Sequence, residues 1–288
     1  MTSTEKPGNT TAPTQFLTAG DNTYAYRRFG SGPGAPLLFL QHFTGTLDNW
    51  DPAVTDPLAL GRPVILFESP GIGRSGGKVP ETVAGMAGHA MKFLDALSLT
   101  RVDVLGFSLG GMVAQVMALK RPALLRKIIL TGTGPAGGVG VAMDRPELMK
   151  IFVDQKMPPS DKLLKLFFEP TESSQSAGRK FVQRLARRTE DVDTPTTAEA
   201  AGAQLAAIAA WAKSGGEPHA DLKKITQPVL VTNGNNDIMI PTVNSFTLSA
   251  HMPNAQLIIY PDSGHGSLFQ HAGAFTSHVT EFLDRGDG

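Results

Sequence analysis

The chain has no cysteine, no excess of either charge, and no long apolar run. Without cysteine there is no disulfide framework, no thiolate metal site and no cysteine nucleophile. Lysine plus arginine number 26 and aspartate plus glutamate also 26, so no net basic character favours nucleic acid or an anionic membrane surface. No apolar segment approaches the roughly 20 residues that span a bilayer. Residues Met1 to Gln15 are polar and rich in Thr and Pro, and lack the positive start and apolar stretch of a secretory signal. A cytoplasmic protein is expected, with a small, largely neutral molecule as partner and neither nucleic acid nor membrane. Oligomeric state is not legible.

What is present is an alternation. At 288 residues the chain can hold one large α/β domain, or a core domain with an insertion. Residues 1–14 read as a disordered tail. Phe16 to Phe29, broken at Gly20-Asp21-Asn22, reads as a hairpin on an antiparallel edge. Then come short, mostly continuous apolar runs: Leu37–Leu40, Val64–Phe67, Val102–Leu105, Lys127–Leu130, Val229–Val231 and Leu257–Tyr260. Strands buried on both faces have this composition. Helical patterns over 81–97, 108–120, 241–250 and 272–284 separate them. The expected fold is therefore α/β, with a mostly parallel, doubly wound sheet.

The alternation stops over 136–220, where helix signals follow one another. Asp144 with Glu147 resembles a capping box, Ser160 precedes Leu163, Leu164, Phe167 and Phe168 at helical spacing, Phe181, Val182 and Leu185 mark a third helix, and the alanine-rich stretch 198–212 a fourth. This predicts a helical lid over 136–220, inserted in a core made of 15–135 and 221–288. A lid there would cover the carboxyl edge of the sheet, where ligands of α/β proteins bind.

The segment Gly106-Phe107-Ser108-Leu109-Gly110-Gly111 follows the Val102 strand directly and opens a helix. A turn this tight strains the backbone of Ser108, crowds the positions two before and two after it, and aims helix N-terminal N–H groups at the reacting centre. A serine hydroxyl is a poor nucleophile until a base takes its proton, and a carboxylate must fix the tautomer of that base. Asp237 follows the Val229 strand and His265, between glycines, follows the Leu257 strand, so both fall on loops at the same sheet edge. Asp237 is also suited to capping the helix after it. Of the other histidines, His89, His251, His271 and His278 fall on helices or their ends, as packing or surface residues, and His219 lies where the chain leaves the insertion.

The order Ser108, Asp237, His265 and the elbow around the serine resemble the α/β-hydrolase fold family, over residues of about 24 to 284. The lid is the least specific part of that resemblance, which implies an oxyanion hole formed by the N–H groups of Phe43 and Leu109; no cofactor is expected. Gln41-His42 stands where the family usually has His-Gly; His42 is open between a polar role behind that loop and simple packing. Gly71-Ile72-Gly73-Arg74-Ser75-Gly76 matches a dinucleotide fingerprint, but Gly77 to Pro80 separate it from the next helix, and the family has a similar loop there.

The expected activity is hydrolysis of a small neutral carboxylic ester or lactone through an acyl-enzyme on Ser108. Within the fold, the alternatives are a cofactor-free haloperoxidase or perhydrolase and a carbon–carbon hydrolase of ring-cleavage products. The last is less favoured because the aromatic residue that often follows the catalytic histidine there is replaced by Gly266. A non-catalytic ligand receptor is the reading from another class. Phe152, Phe167, Phe168, Phe181 and Trp211 supply candidates for an apolar acyl pocket. Arg74 is the lone arginine near the site.

Overall fold

Apolar runs that alternate with helices need burial on both faces, and one sheet gives it to them. A computed structural model describes residues 8–213, 217 and 219–286. The strands are β1 (Gln15–Ala19), β2 (Asn22–Phe29), β3 (Leu37–Leu40), β4 (Val64–Phe67), β5 (Val102–Phe107), β6 (Leu125–Thr131), β7 (Val229–Gly234) and β8 (Ala255–Tyr260). They form one 8-stranded sheet in the order β1-β2-β4-β3-β5-β6-β7-β8. β1 and β2 are the expected hairpin, and β2 runs antiparallel to β4; all later pairings are parallel. Every residue of β3, β4, β5 and β7 is buried. The Leu257–Tyr260 run differs from expectation: as part of the edge strand β8 it is only half-buried until Tyr260.

Helices α1 (Pro52–Leu58), α2 (Val83–Ala96) and α3 (Leu109–Lys120) lie among the first strands. Four more, α4 (Pro146–Val153), α5 (Pro159–Phe167), α6 (Glu172–Leu185) and α7 (Ala198–Ala212), follow one another between β6 and β7 with no strand among them. The chain closes with α8 (Val243–His251), α9 (Ser267–Gln270) and α10 (Ala272–Asp284). The capping box read at Asp144 and Glu147 does not form. α4 starts at Pro146, with Arg145 as its N-cap and no side-chain cap. A proline in the first turn has no N–H to satisfy and already holds a helical φ, so the cap is dispensable.

Part of the disordered tail expected over 1–14 must be corrected. Residues 1–7 lie outside the described residues, but Asn9 and Ala12 are buried. The Asn9 N–H donates to Asp56 at 2.8 Å and its Nδ2 to the Trp50 carbonyl at 2.6 Å. Arg188 donates 3.0 Å hydrogen bonds to the carbonyls of both Asn9 and Ala12. Polar composition concealed this, because the partners lie in distant parts of the chain.

Arg188 belongs to the helical insertion, and the same seam is stitched by ion pairs. Arg27 of β2 reaches Asp48 at 2.7 Å and Asp193 at 3.2 Å, while Arg184 grips both oxygens of Asp51 at 2.8 and 2.6 Å. The insertion is thereby held against the carboxyl ends of the strands, where the candidate site lies. Among the described residues, no helix is long and apolar enough to cross a membrane.

Candidate active site

The geometry begins with the turn from β5 to α3. Ser108 is the N-cap of α3, with φ of 56° and ψ of −118°, a strained backbone for any residue with a side chain. Strain persists only where surroundings impose it, and here they do: the Ser108 N–H donates to the Thr131 carbonyl at 2.9 Å and its carbonyl accepts the Thr133 hydroxyl at 2.8 Å. The crowding expected two residues either side of Ser108 is present. A Cβ on Gly106 would lie 2.5 Å from the Gly110 carbonyl oxygen, and one on Gly110 would strike the Leu40 carbonyl.

Asp237 and His265 leave the carboxyl ends of β7 and β8, which are neighbours. Their loops interlock: the Asn235 N–H donates to the Tyr260 carbonyl at 2.9 Å, the Asn236 N–H to the Ser263 carbonyl at 3.1 Å, and the Ser263 N–H to Asn235 Oδ1 at 3.1 Å. Across them His265 Nδ1 meets Asp237 Oδ2 at 2.7 Å, with both side chains buried. A carboxylate at that distance keeps the proton on Nδ1 and leaves Nε2 as a lone pair. The ring of His265 is walled by Phe107 and Phe167, at centroid distances of 4.9 and 5.4 Å.

Ser108 and His265 line one cavity of about 720 Å³ under the insertion. No hydrogen bond joins the two side chains among the described residues. In unliganded sites such bonds are often long and tighten with substrate.

Phe43 also lines this cavity, and Leu109 borders the small cavity behind it. Among the described residues, neither backbone N–H is spent on a protein acceptor. Two free N–H groups beside a buried serine, one of them opening a helix, can receive a developing oxyanion.

His42 turns out to be both a packed and a polar residue. Its ring sits 5.3 Å from those of Phe107 and Phe167. Its Nδ1 lies 2.8 Å from the Phe43 carbonyl, which makes Nδ1 the donor and Nε2 an acceptor. Burial pushes its pKa down to about 4, so the ring is neutral. Nε2 is buried without a partner among the described residues, and His42 borders a cavity of about 20 Å³ shared with Gln41, Ser69 and Gln204, room for a single water.

Of the aromatic residues expected to line an apolar pocket, Phe152 and Phe167 do. Phe181 is buried against Phe168 and Phe269, and Trp211 lies elsewhere, donating to the Gly134 carbonyl at 3.3 Å. Met157, Leu163, Leu166 and Met239 extend the apolar wall. Arg74 is spent on an ion pair with Asp191 and lies over the Phe16 ring, outside the cavity lining. Among the described residues, the lysine that lines the cavity is Lys162, whose Nζ donates to the Phe152 carbonyl at 3.0 Å. Sequence reading missed it because one lysine on an amphipathic helix carries no signal of which way it points.

Known proteins share this architecture. A solved α/β-hydrolase fold protein from Chitinophaga pinensis superposes with a TM-score of 0.92 at 41% identity, covering 97% of this chain and all of the other, 100%. Among curated relatives, 2-hydroxy-6-oxo-6-phenylhexa-2,4-dienoate hydrolase of Burkholderia cepacia is 28% identical over 93% of this chain and 90% of its own length. The enol-lactonase of Burkholderia xenovorans shares the fold, with a TM-score of 0.73 at 19% identity over 93% of this chain and 99% of that one. The family model for the alpha/beta hydrolase fold matches residues 35–272. The chain therefore belongs to the α/β-hydrolase fold family.

Proposed function

We propose that the protein is a serine hydrolase acting on a small neutral carboxylic ester or lactone, with Ser108 as nucleophile, His265 as base and Asp237 as its orienting carboxylate. The observation that carries this reading is a strained Ser108 and the His265 of a buried His265–Asp237 pair on one cavity that Phe43 also lines, with the Leu109 N–H next to the serine.

In this reading Ser108 Oγ attacks the carbonyl carbon as His265 Nε2 takes its proton. The carbonyl oxygen becomes an oxyanion held by the N–H groups of Phe43 and Leu109. Collapse of that intermediate breaks the bond to the alkoxy oxygen, which leaves with the proton from the imidazolium. A water then gives its proton to His265 and attacks the acyl carbon; collapse releases the acid and returns the proton to Ser108. The imidazolium formed in each half is stabilised by Asp237 in a dry site.

The helical insertion acts as the lid of this site, and its side chains favour a neutral apolar acyl group. The wall of Phe152, Met157, Leu163, Leu166, Phe167 and Met239 offers contact with hydrocarbon, and no arginine is among the lining residues. A buried carboxylate substrate would want a bidentate guanidinium. Rates over a series of neutral esters and lactones of graded acyl length test this, alongside one free-acid half-ester of matched length. Rising kcat/KM along the neutral series supports the reading, and a tenfold preference for the half-ester defeats it.

A second reading, carbon–carbon hydrolysis of a ring-cleavage product, is favoured by the names of the curated relatives and by Lys162, which could meet a carboxylate. Against it stands the residue after His265. A Cβ on Gly266 would come 2.8 Å from Phe167 Cβ, so Phe167 fills the space a larger side chain would need. Lys162→Met separates the two, since it should impair a dienoate substrate and spare a neutral ester.

A further inference from the structure

The loop that carries Phe43 is not held by the core domain alone. Thr44, the residue after Phe43, has φ of 60°, in the left-handed region that a threonine occupies only under constraint. Both of its main-chain polar groups end on side chains from the insertion. Its N–H donates to Gln204 Oε1 of α7 at 2.8 Å, and its carbonyl accepts the hydroxyl of Thr196 at 2.8 Å. The rest of the loop is bracketed locally. The His42 N–H donates to Gln41 Oε1 at 2.9 Å, Gln41 Nε2 donates to the Thr46 carbonyl at 2.9 Å, and the Thr44 hydroxyl donates to the Phe43 carbonyl at 2.7 Å.

From this geometry we infer that Gln204 and Thr196 are positioning residues for the oxyanion hole: the helical insertion, by clamping Thr44 at both ends of its backbone, sets the direction of the Phe43 N–H. The local bonds fix the flanks of the loop but leave the two main-chain groups of Thr44 without a partner of their own. If the insertion moves away, a threonine in a strained conformation loses both restraints and relaxes toward negative φ. That rotation turns the adjoining peptides, and the neighbouring Phe43 N–H turns with them. Gln204 is 4% exposed and borders the small cavity beside His42 and Leu109, so its bond to Thr44 is shielded from solvent. Thr196 lies two residues before α7, so one contiguous segment carries both halves of the clamp.

This inference rests on the serine-hydrolase reading above, and its test separates the two. The variants are Gln204→Met, which keeps the bulk and removes the acceptor, Thr196→Val, which removes only the hydroxyl, and Gln204→Glu, which keeps an acceptor oxygen. The readouts are kcat and KM on p-nitrophenyl butyrate, affinity for a trifluoromethyl ketone, and a melting curve. The ketone adds Ser108 Oγ to its carbonyl carbon, with the serine proton passing to His265, so its affinity reports the hole. Gln204→Met and Thr196→Val should each lower kcat by about tenfold to a hundredfold and weaken the ketone in proportion, with KM little changed. Gln204→Glu should recover most of the rate. Folded variants with wild-type kcat and ketone affinity overturn the clamp, and Thr196→Val decides alone where Gln204→Met fails to fold. If a fluorophosphonate does not label Ser108 and Ser108→Ala keeps full activity, the serine-hydrolase reading falls and the clamp with it. If labelling succeeds and the clamp variants are silent, only the clamp falls.

Discussion

Asp237 divides its carboxylate between two tasks: Oδ2 meets His265 Nδ1 at 2.7 Å, and Oδ1 accepts the N–H groups of Met239 and Ile240 at 2.7 and 3.0 Å. The turn cap and the hydrogen bond to His265, competing explanations for an aspartate at this place in the sequence, therefore coexist on one carboxylate. What it caps is the turn before α8, not the helix, whose N-cap is Thr242. The cap also fixes the carboxylate plane, so the oxygen facing His265 cannot rotate away.

Asp237→Asn should keep the cap through its remaining oxygen and turn an NH₂ toward His265 Nδ1. The imidazole then carries its proton on Nε2, where it cannot act as a base. We expect kcat to fall by roughly 10⁴-fold with a small change in Tm. Rates and a melting curve on the same preparation check this; near-normal turnover would leave Asp237 as a cap alone.

Ser108→Ala should reduce turnover by on the order of 10⁶-fold, leaving only what binding and the oxyanion hole supply. Peptide mapping after fluorophosphonate treatment should find the label on Ser108, with one probe per chain and none in the variant.

Gly106→Ala tests the elbow as architecture. The added methyl would sit 2.5 Å from the Gly110 carbonyl oxygen, a backbone atom that cannot yield without moving α3. A loss of about 2 kcal/mol or more is expected, seen as a Tm lower by several degrees. A variant as stable as the parent would mean that the turn is looser than drawn.

Glu68 makes stability depend on pH. Burial, reinforced by the Asp193 carboxylate, pushes its pKa from 4.5 up to about 8. Across that interval the folded protein holds a proton that the unfolded chain has released. The contribution is therefore complete below pH 4.5 and is lost as pH rises through about 8. Denaturation midpoints from about pH 5 to about pH 8.5 should decline for the parent. They should decline less for Glu68→Gln, which has no proton to lose; parallel slopes would refute the assignment.

Local signals in the sequence reached far. The strands announced themselves because parallel strands buried on both faces must be apolar without a break, as Leu37–Leu40 and Val64–Phe67 are. Ser108, Asp237 and His265 were legible because each lies in the turn or loop that follows an apolar strand run, and strand ends in this topology share one edge. The short helix α1 escaped notice, since seven residues including Pro52 and Pro57 carry no helical period. Contacts between distant segments were not legible either. Nothing local tells that Gln204 meets Thr44 across 160 positions, or that Phe167 takes the space beside Gly266. Asp144 and Glu147 misled for the opposite reason, a local pattern overruled by the proline between them.

The docking of residues 8–14 through buried Asn9 and Ala12 bears on how the chain tolerates editing at its start. A version trimmed to Gln15 would delete the two carbonyls that receive Arg188, leaving a buried guanidinium on the insertion short of acceptors. It would also uncover the Trp50 carbonyl that Asn9 covers. Such a shortened enzyme would therefore suffer at the seam between core and insertion, far along the chain from the cut. A purification tag or fusion partner belongs ahead of residue 8 or behind α10, where it leaves that belt fastened.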